Sequence, residues 1–220
     1  DQFIHDVALQ NLDVTFALDR AGLVGEDGPT HSGNYDIAYL RCIPNIVVMT
    51  PSNENETRLM LTTAYEYKGP ASVRYPRGSG PNVQVSDNLE SLEIGKANII
   101  REGSDKVIFL NFGSLLHEAI TVSEALDLTL IDMRFVKPLD KEILIKYLTT
   151  AELFVSLEDG SIAGGAGSGV QEFCSEENIV IKSKLLGIPD IFIEHASREE
   201  MIKDAGLTAI QIEKALLPLM

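Results

Sequence analysis

Val14-Thr15-Phe16-Ala17-Leu18 followed by Asp19–Tyr35, DRAGLVGEDGPTHSGNY, is the stretch from which the chain is best read. The first five residues read as a buried strand. The next seventeen hold four glycines, one arginine and one histidine. Glycine lets backbone approach a ligand and take positive φ, at an entropic cost. Loops of this length in a compact protein are uncommon and are either functional or disordered. Placed straight behind a strand, this one is tied at both ends and reads as a binding loop.

Working outward, Asp1–Leu12 has apolar residues at helical spacing. Asp36–Cys42 suits a short helix stopped by Pro44. Ile46–Thr50 is a β-branched run expected of a strand buried on both faces. Asn53 to Glu56 has the form of a capping box, opening a helix that Gly69-Pro70 ends. Ala71–Tyr75 is the third strand, leading into Tyr75-Pro76-Arg77-Gly78. This alternation implies an α/β fold with a parallel sheet and right-handed crossovers. Ligands of such sheets sit beyond the carboxyl ends of the strands. Arg20 and Arg77 each follow a strand end, so both belong on the rim that carries the loop.

Gly78–Leu92 lacks periodicity and reads as a linker between residues 1–80 and a second α/β unit, residues 93–220, with the linker proper at 81–92. Strands are expected at Ala97–Ile100, Val107–Phe112, Leu130–Phe135, Leu153–Leu157 and Val180–Leu185. Helices are expected at Leu115–Leu126, at Lys141–Leu148 capped by Asp140, and from Val170. Ser197 with Glu200 and Thr208 with Gln211 announce two capped helices at the end.

The 220 residues are 45% hydrophobic and 23% charged, an ordinary globular composition. The net charge of −15 argues against a nucleic-acid surface, and no apolar run reaches the roughly 18 residues of a membrane span. Residues 1–80 carry ten acidic and six basic side chains, −4, which leaves −11 for the rest. An anionic ligand therefore depends on local arginines, which are denser in the first part. Cys42 and Cys174 lack metal-ligand spacing and are expected as two buried free thiols in a reducing cytoplasm. The chain opens on Asp1 with an amphipathic segment already under way, which suggests a piece of a longer polypeptide.

Three groups carry chemistry. Arg20 and Arg77 have guanidinium forks that match phosphate or carboxylate oxygens; they either bind an anion or pair with Asp19, Glu26 or Asp27. His31, in a polar loop, either moves protons near neutral pH or is a surface histidine. Asp27 either orients His31 or the ligand, or is solvated. His5, His117 and His195 read as structural or surface residues, and Arg41 and Arg74 as weaker binding candidates. Gly164–Gly169, between a strand and a helix, departs from the dinucleotide fingerprint at Val170 and is followed by no Walker lysine. A tight strand-to-helix crossing is the better reading.

DRAGLVGEDGPTHSG, YDIAYLRCIPNIVVMTPSNENE, ASVRYPRG, IDMRFVKPLD, EDGSIAGGAGSGV and LGIPDIFIEH together resemble the 1-deoxy-D-xylulose-5-phosphate synthase family of transketolase-like thiamine-diphosphate enzymes, from Asp1 to about Met201. The resemblance implies the back part of a pyrimidine-binding domain followed by a transketolase C-terminal-like domain. It implies a transferase that decarboxylates pyruvate and condenses it with glyceraldehyde 3-phosphate, for isoprenoid precursor, thiamine and pyridoxal biosynthesis. On matching positions, Arg20 and Arg77 would hold the acceptor phosphate, His31 would transfer a proton or orient substrate, and Asp27 would assist with the acceptor hydroxyls or His31.

The resemblance also implies thiamine diphosphate and Mg2+, but the family's GDG-plus-asparagine motif, its activating glutamate and its cofactor-stacking aromatic have no counterpart here. The cofactor ligands are therefore expected upstream of Asp1 and the piece is expected to be inactive alone. A homodimer in the cytoplasm, free of nucleic acid and membrane, is implied. Another transketolase-like thiamine enzyme or a non-catalytic interaction module are the alternatives.

Overall fold

In the computed structural model, which describes residues 1–220, the first three strand-like runs pair in parallel. Thr15–Leu18 (β1), Val47–Met49 (β2) and Ala71–Arg74 (β3) lie in the order β1-β3-β2. β2 and β3 are buried throughout. β1 is not the buried strand expected: it is the sheet edge, with Thr15 and Ala17 exposed. It has a neighbour on one side only, and nothing covers those two positions.

Helix α1 (Asp36–Arg41) joins β1 to β2, and α2 (Glu54–Glu66) joins β2 to β3. The Asn53 side chain accepts from the Glu56 N–H at 3.0 Å, capping α2. The reciprocal half of the expected capping box does not form, because Glu56 turns to Arg134 Nη2 at 2.7 Å. Ahead of β1 the helical spacing yields one wide turn, Phe3–Ala8.

The second sheet comprises Asn98–Arg101 (β4), Ser104–Phe112 (β5), Leu128–Asp132 (β6), Leu153–Ser161 (β8) and Lys182–Ile188 (β9), in the order β4-β6-β5-β8-β9. All are parallel except β4. Leu116–Ala125 (α3), Lys141–Leu148 (α4), Ala166–Glu176 (α5), Arg198–Asp204 (α6) and Ala209–Leu216 (α7) complete the unit. Asp140 caps α4, and both expected capping boxes, at Ser197 and Thr208, are formed.

Three further expectations need correction. Leu130–Phe135 is not one strand: the chain turns at Arg134, which sits at φ 59, and Phe135–Lys137 (β7) leaves to pair antiparallel with β2 in the first sheet. β8 runs on past Leu157 to Ser161, and α5 begins at Ala166 rather than Val170. Gly167 and Gly169 lie inside α5, where a side chain at either would strike Ser156 or Arg41. Finally, Cys174 is buried but Cys42 is exposed; both are free. Cys42 follows the last residue of α1, and its Sγ donates back to the Tyr39 carbonyl at 3.2 Å.

The segment after β3 is fastened along α2. Asn82 N–H donates to Glu54 at 2.8 Å, Ser86 N–H to Asn55 at 2.9 Å, and Leu92 N–H to Thr63 Oγ1 at 2.8 Å. The two units also share one apolar core. Ile37, Leu40, Ile46 and Val48 from the first pack with Ile108, Leu110, Phe154 and Val170 from the second in a cluster of 20 buried residues. Burial of this extent holds the sheets together by far more than the linker does.

Candidate functional site

The parallel pairing of β1 with β3, Leu18 opposite Arg74, brings their following turns side by side. Tyr75 N–H donates to the Leu18 carbonyl at 2.9 Å, and Ala21 N–H to the Tyr75 carbonyl at 3.0 Å. Arg20 sits in the left-handed region at φ 61, a cost on the order of 1 kcal/mol for an L-residue. Its carbonyl accepts from Gly33 N–H at 3.0 Å, which closes the loop on itself.

Arg20, Arg77 and Asp27 meet on this rim. Arg77 Nη1 bonds Asp27 Oδ2 at 2.6 Å, and Arg20 Nε lies 3.8 Å from the same oxygen. Arg20 Nη1 also bonds Asp19 at 2.8 Å. The arginine side chains remain 41% and 48% exposed and Asp27 31%, so these pairs contribute little to stability and their guanidinium edges stay open to solvent. His31 is exposed on the loop, its Nδ1 2.9 Å from Thr30 Oγ1. Asp27 pairs with the arginines and not with His31.

Beside this cluster a cleft of about 650 Å³ opens between the two units. Tyr75 and Arg77 stand on one wall, and Ser114, His117 and Arg198 on the other. The sequence reading set His117 aside as structural or surface and did not raise Ser114 or Arg198; no motif links them, and only the fold brings them to the rim.

Arg74 and Arg41, the weaker candidates, are committed elsewhere. Arg41 pairs with Glu172 at 2.5 Å. Arg74 is fully buried, bonded to Asp36 at 2.7 Å and to Asp159. Burial works against its charge, but the two carboxylates overcome this and hold its pKa above the usual arginine value. Burial likewise opposes the Asp159 carboxylate, yet Arg74 and Ser114 keep its pKa below the usual range.

Two further buried acids lack such a cation. Burial pushes Asp132 up to about 6 despite bonds from Ser52 at 2.7 Å and Asn111 at 3.1 Å. Burial also pushes Glu158 up to about 7, although it accepts the N–H groups of Ala166 and Gly167 at 2.8 and 3.0 Å. Glu158 thus fills the N-terminus of α5 from within, in keeping with Gly164–Gly169 as a tight crossing rather than a phosphate turn. No group of three or more His, Cys, Asp or Glu side chains is arranged to hold a metal ion.

Two family models cover nearly all of the chain. Residues 1–82 match the transketolase pyrimidine-binding domain and residues 95–212 the transketolase C-terminal domain. The chain belongs to the transketolase family. Over 216 residues it is 58% identical to the 1-deoxy-D-xylulose-5-phosphate synthase of Stutzerimonas stutzeri and 56% identical to that of Hahella chejuensis. These alignments take in 98% of this chain but 34% and 33% of those proteins, so it spans about a third of their length. A solved split-gene transketolase, described as an inactive β4 tetramer, superposes with a TM-score of 0.86 at 28% identity, covering 99% of this chain and 69% of that one.

Proposed function

We propose that this chain is the acceptor-binding part of a 1-deoxy-D-xylulose-5-phosphate synthase, the enzyme that decarboxylates pyruvate and joins it to glyceraldehyde 3-phosphate. The observation that carries this is the convergence of Arg20 and Arg77, from two strand ends, on one rim beside the cleft between the units. Arg77 uses only Nη1 within the protein, donating to Asp27 and, at 3.5 Å, to the Val24 carbonyl. Its remaining N–H groups and the open edge of Arg20 suit phosphate oxygens. Asp27 holds the two guanidinium groups together and is placed to meet the acceptor's hydroxyls. His31, exposed on the same loop, exchanges a proton with the reacting oxygen.

Thiamine diphosphate and Mg2+ belong to the complete enzyme, with their main ligands in the two thirds of the relatives' length that this chain does not span. The chain alone is accordingly inactive, a reading supported by its spanning only about a third of the length of the synthases it matches. The split-gene transketolase is a tetramer of one subunit, which supports self-association of the complete enzyme, read here as a homodimer, and the two free thiols support a cytoplasmic location. No helix is long and apolar enough to cross a membrane.

The test is steady-state kinetics in the complete enzyme. Arg77→Ala and Arg20→Ala should each raise the KM for glyceraldehyde 3-phosphate by about 10- to 100-fold, the worth of a charged hydrogen bond, with the KM for pyruvate little changed. An unchanged acceptor KM in both variants refutes the phosphate assignment.

A further inference from the structure

The loop that carries Arg20, Asp27 and His31 has its footing on the C-terminal unit. Leu23 is buried in that unit's own core cluster. Gly22, at φ 71, passes so close to Asp159 that a Cβ there would lie 2.8 Å from the Asp159 carbonyl oxygen. A Cβ at Gly28 would lie 2.9 Å from that of His195.

The Asp159 carboxylate sits at the meeting point of these contacts. One oxygen receives Arg74 Nη1, and Arg74 Nη2 donates to the Gly33 carbonyl at 3.0 Å, at the far end of the loop. The other oxygen receives the N–H and Oγ of Ser114 at 3.3 and 2.6 Å. Ser114 Oγ in turn accepts from Arg198 Nη2 at 3.0 Å, on the cleft wall opposite Arg77. One buried carboxylate is therefore a single bonded neighbour away from both the loop and the far wall of the cleft.

We propose that Asp159 is a positioning residue for the acceptor site: it sets the loop of Arg20, Asp27 and His31 through Arg74, and the Arg198 wall through Ser114. The proposal rests on the acceptor reading above. A carboxylate is required because all three of its partners are donors. An asparagine keeps the shape but turns an N–H₂ group toward a donor, so either Arg74 or Ser114 loses its acceptor. The loop then shifts relative to the reacting groups, and misplacement of about 1 Å costs on the order of 100-fold.

Steady-state kinetics in the complete enzyme tests this. Asp159→Asn should raise the KM for glyceraldehyde 3-phosphate about tenfold or more while the KM for pyruvate stays within about twofold. Gly22→Ala, which pushes the loop off Asp159 and leaves the ion pair intact, should do the same. A purely structural role lowers Tm and the active fraction without moving the acceptor KM; that result in both variants overturns the proposal. If Asp159→Asn fails to fold, Gly22→Ala and Ser114→Ala decide by the same criterion. Arg77→Ala, measured alongside, separates the two readings. An acceptor KM that rises for Arg77→Ala but for none of the others refutes the positioning role alone. No rise for either Arg77→Ala or Arg20→Ala removes the acceptor reading and the positioning role with it.

Discussion

Replacing Arg74 by methionine should destabilise this chain more than any other single change among its ion pairs. The methionine fits the volume of the aliphatic stem, so the loss is chiefly electrostatic. Asp36 and Asp159 would both stay buried without their cation, and the Gly33 carbonyl would keep only the Gly22 N–H of its two donors. Breaking a buried pair by removing one partner costs about 3–5 kcal/mol, a large share of the roughly 5–15 kcal/mol that holds a typical protein folded.

The loss also has a defined pH dependence. In the wild type, Asp159 is held below the usual carboxylate range, so its contribution is present above its unfolded pKa of about 3.9. It is lost only as pH falls through the still lower native value. Without Arg74, burial dominates and raises the native pKa of Asp159. Asp159 then takes up a proton as pH falls and the penalty shrinks. Urea unfolding followed by circular dichroism at pH 7.5 and pH 5 checks this. The deficit should be about 4 kcal/mol at the higher pH and clearly smaller at the lower one. A deficit under about 1 kcal/mol, or one equal at both pH values, refutes the description of Arg74 as the charge that holds the interface.

Glu158→Gln should flatten the stability profile near neutrality. With its native pKa raised to about 7 from an ordinary 4.5, Glu158 contributes stability that is complete below pH about 4.5 and lost as pH rises through about 7, up to roughly 3 kcal/mol; unfolding midpoints at pH 5 and 8 that differ equally in wild type and variant would contradict this. Asp132→Asn should remove a smaller fall of the same sign, lost as pH rises through about 6, read in the same experiment. His31→Ala in the complete enzyme should lower the turnover number by roughly 100-fold, the usual loss for a proton-transfer group; an unchanged value would make His31 a bystander. Pyruvate consumption by this chain alone, with thiamine diphosphate and Mg2+ added, should stay at the buffer background, and enzymatic turnover would overturn the division of the site.

Much of the fold was legible because it depends on local chemistry. Ser197 and Thr208 cap their helices with the glutamate and glutamine three residues on, and Asp140 caps α4, since each bond lies within one helical turn. The shared rim of Arg20 and Arg77 followed from the rule for parallel sheets alone. The capping box at Asn53 failed in half because Glu56 has a stronger distant partner in Arg134. β7 was missed because Phe135 reads as the end of the strand before it. Nothing within that segment says that a left-handed Arg134 will send it to another sheet.

The sequence by itself determined the order of strands and helices apart from β7, the anion-seeking arginines and the loop between strand and helix. These rest on residue type and near neighbours, which a single chain displays directly. The tertiary structure alone decided that Arg74 is a buried anchor and not a ligand-binding group, that Asp27 lies between Arg20 and Arg77, and that Asp159 of the second unit reaches the loop of the first. A guanidinium group has the same chemistry wherever it stands. Whether it meets a carboxylate in a dry interior or keeps an open edge at a cleft is set by which distant segments fold against it.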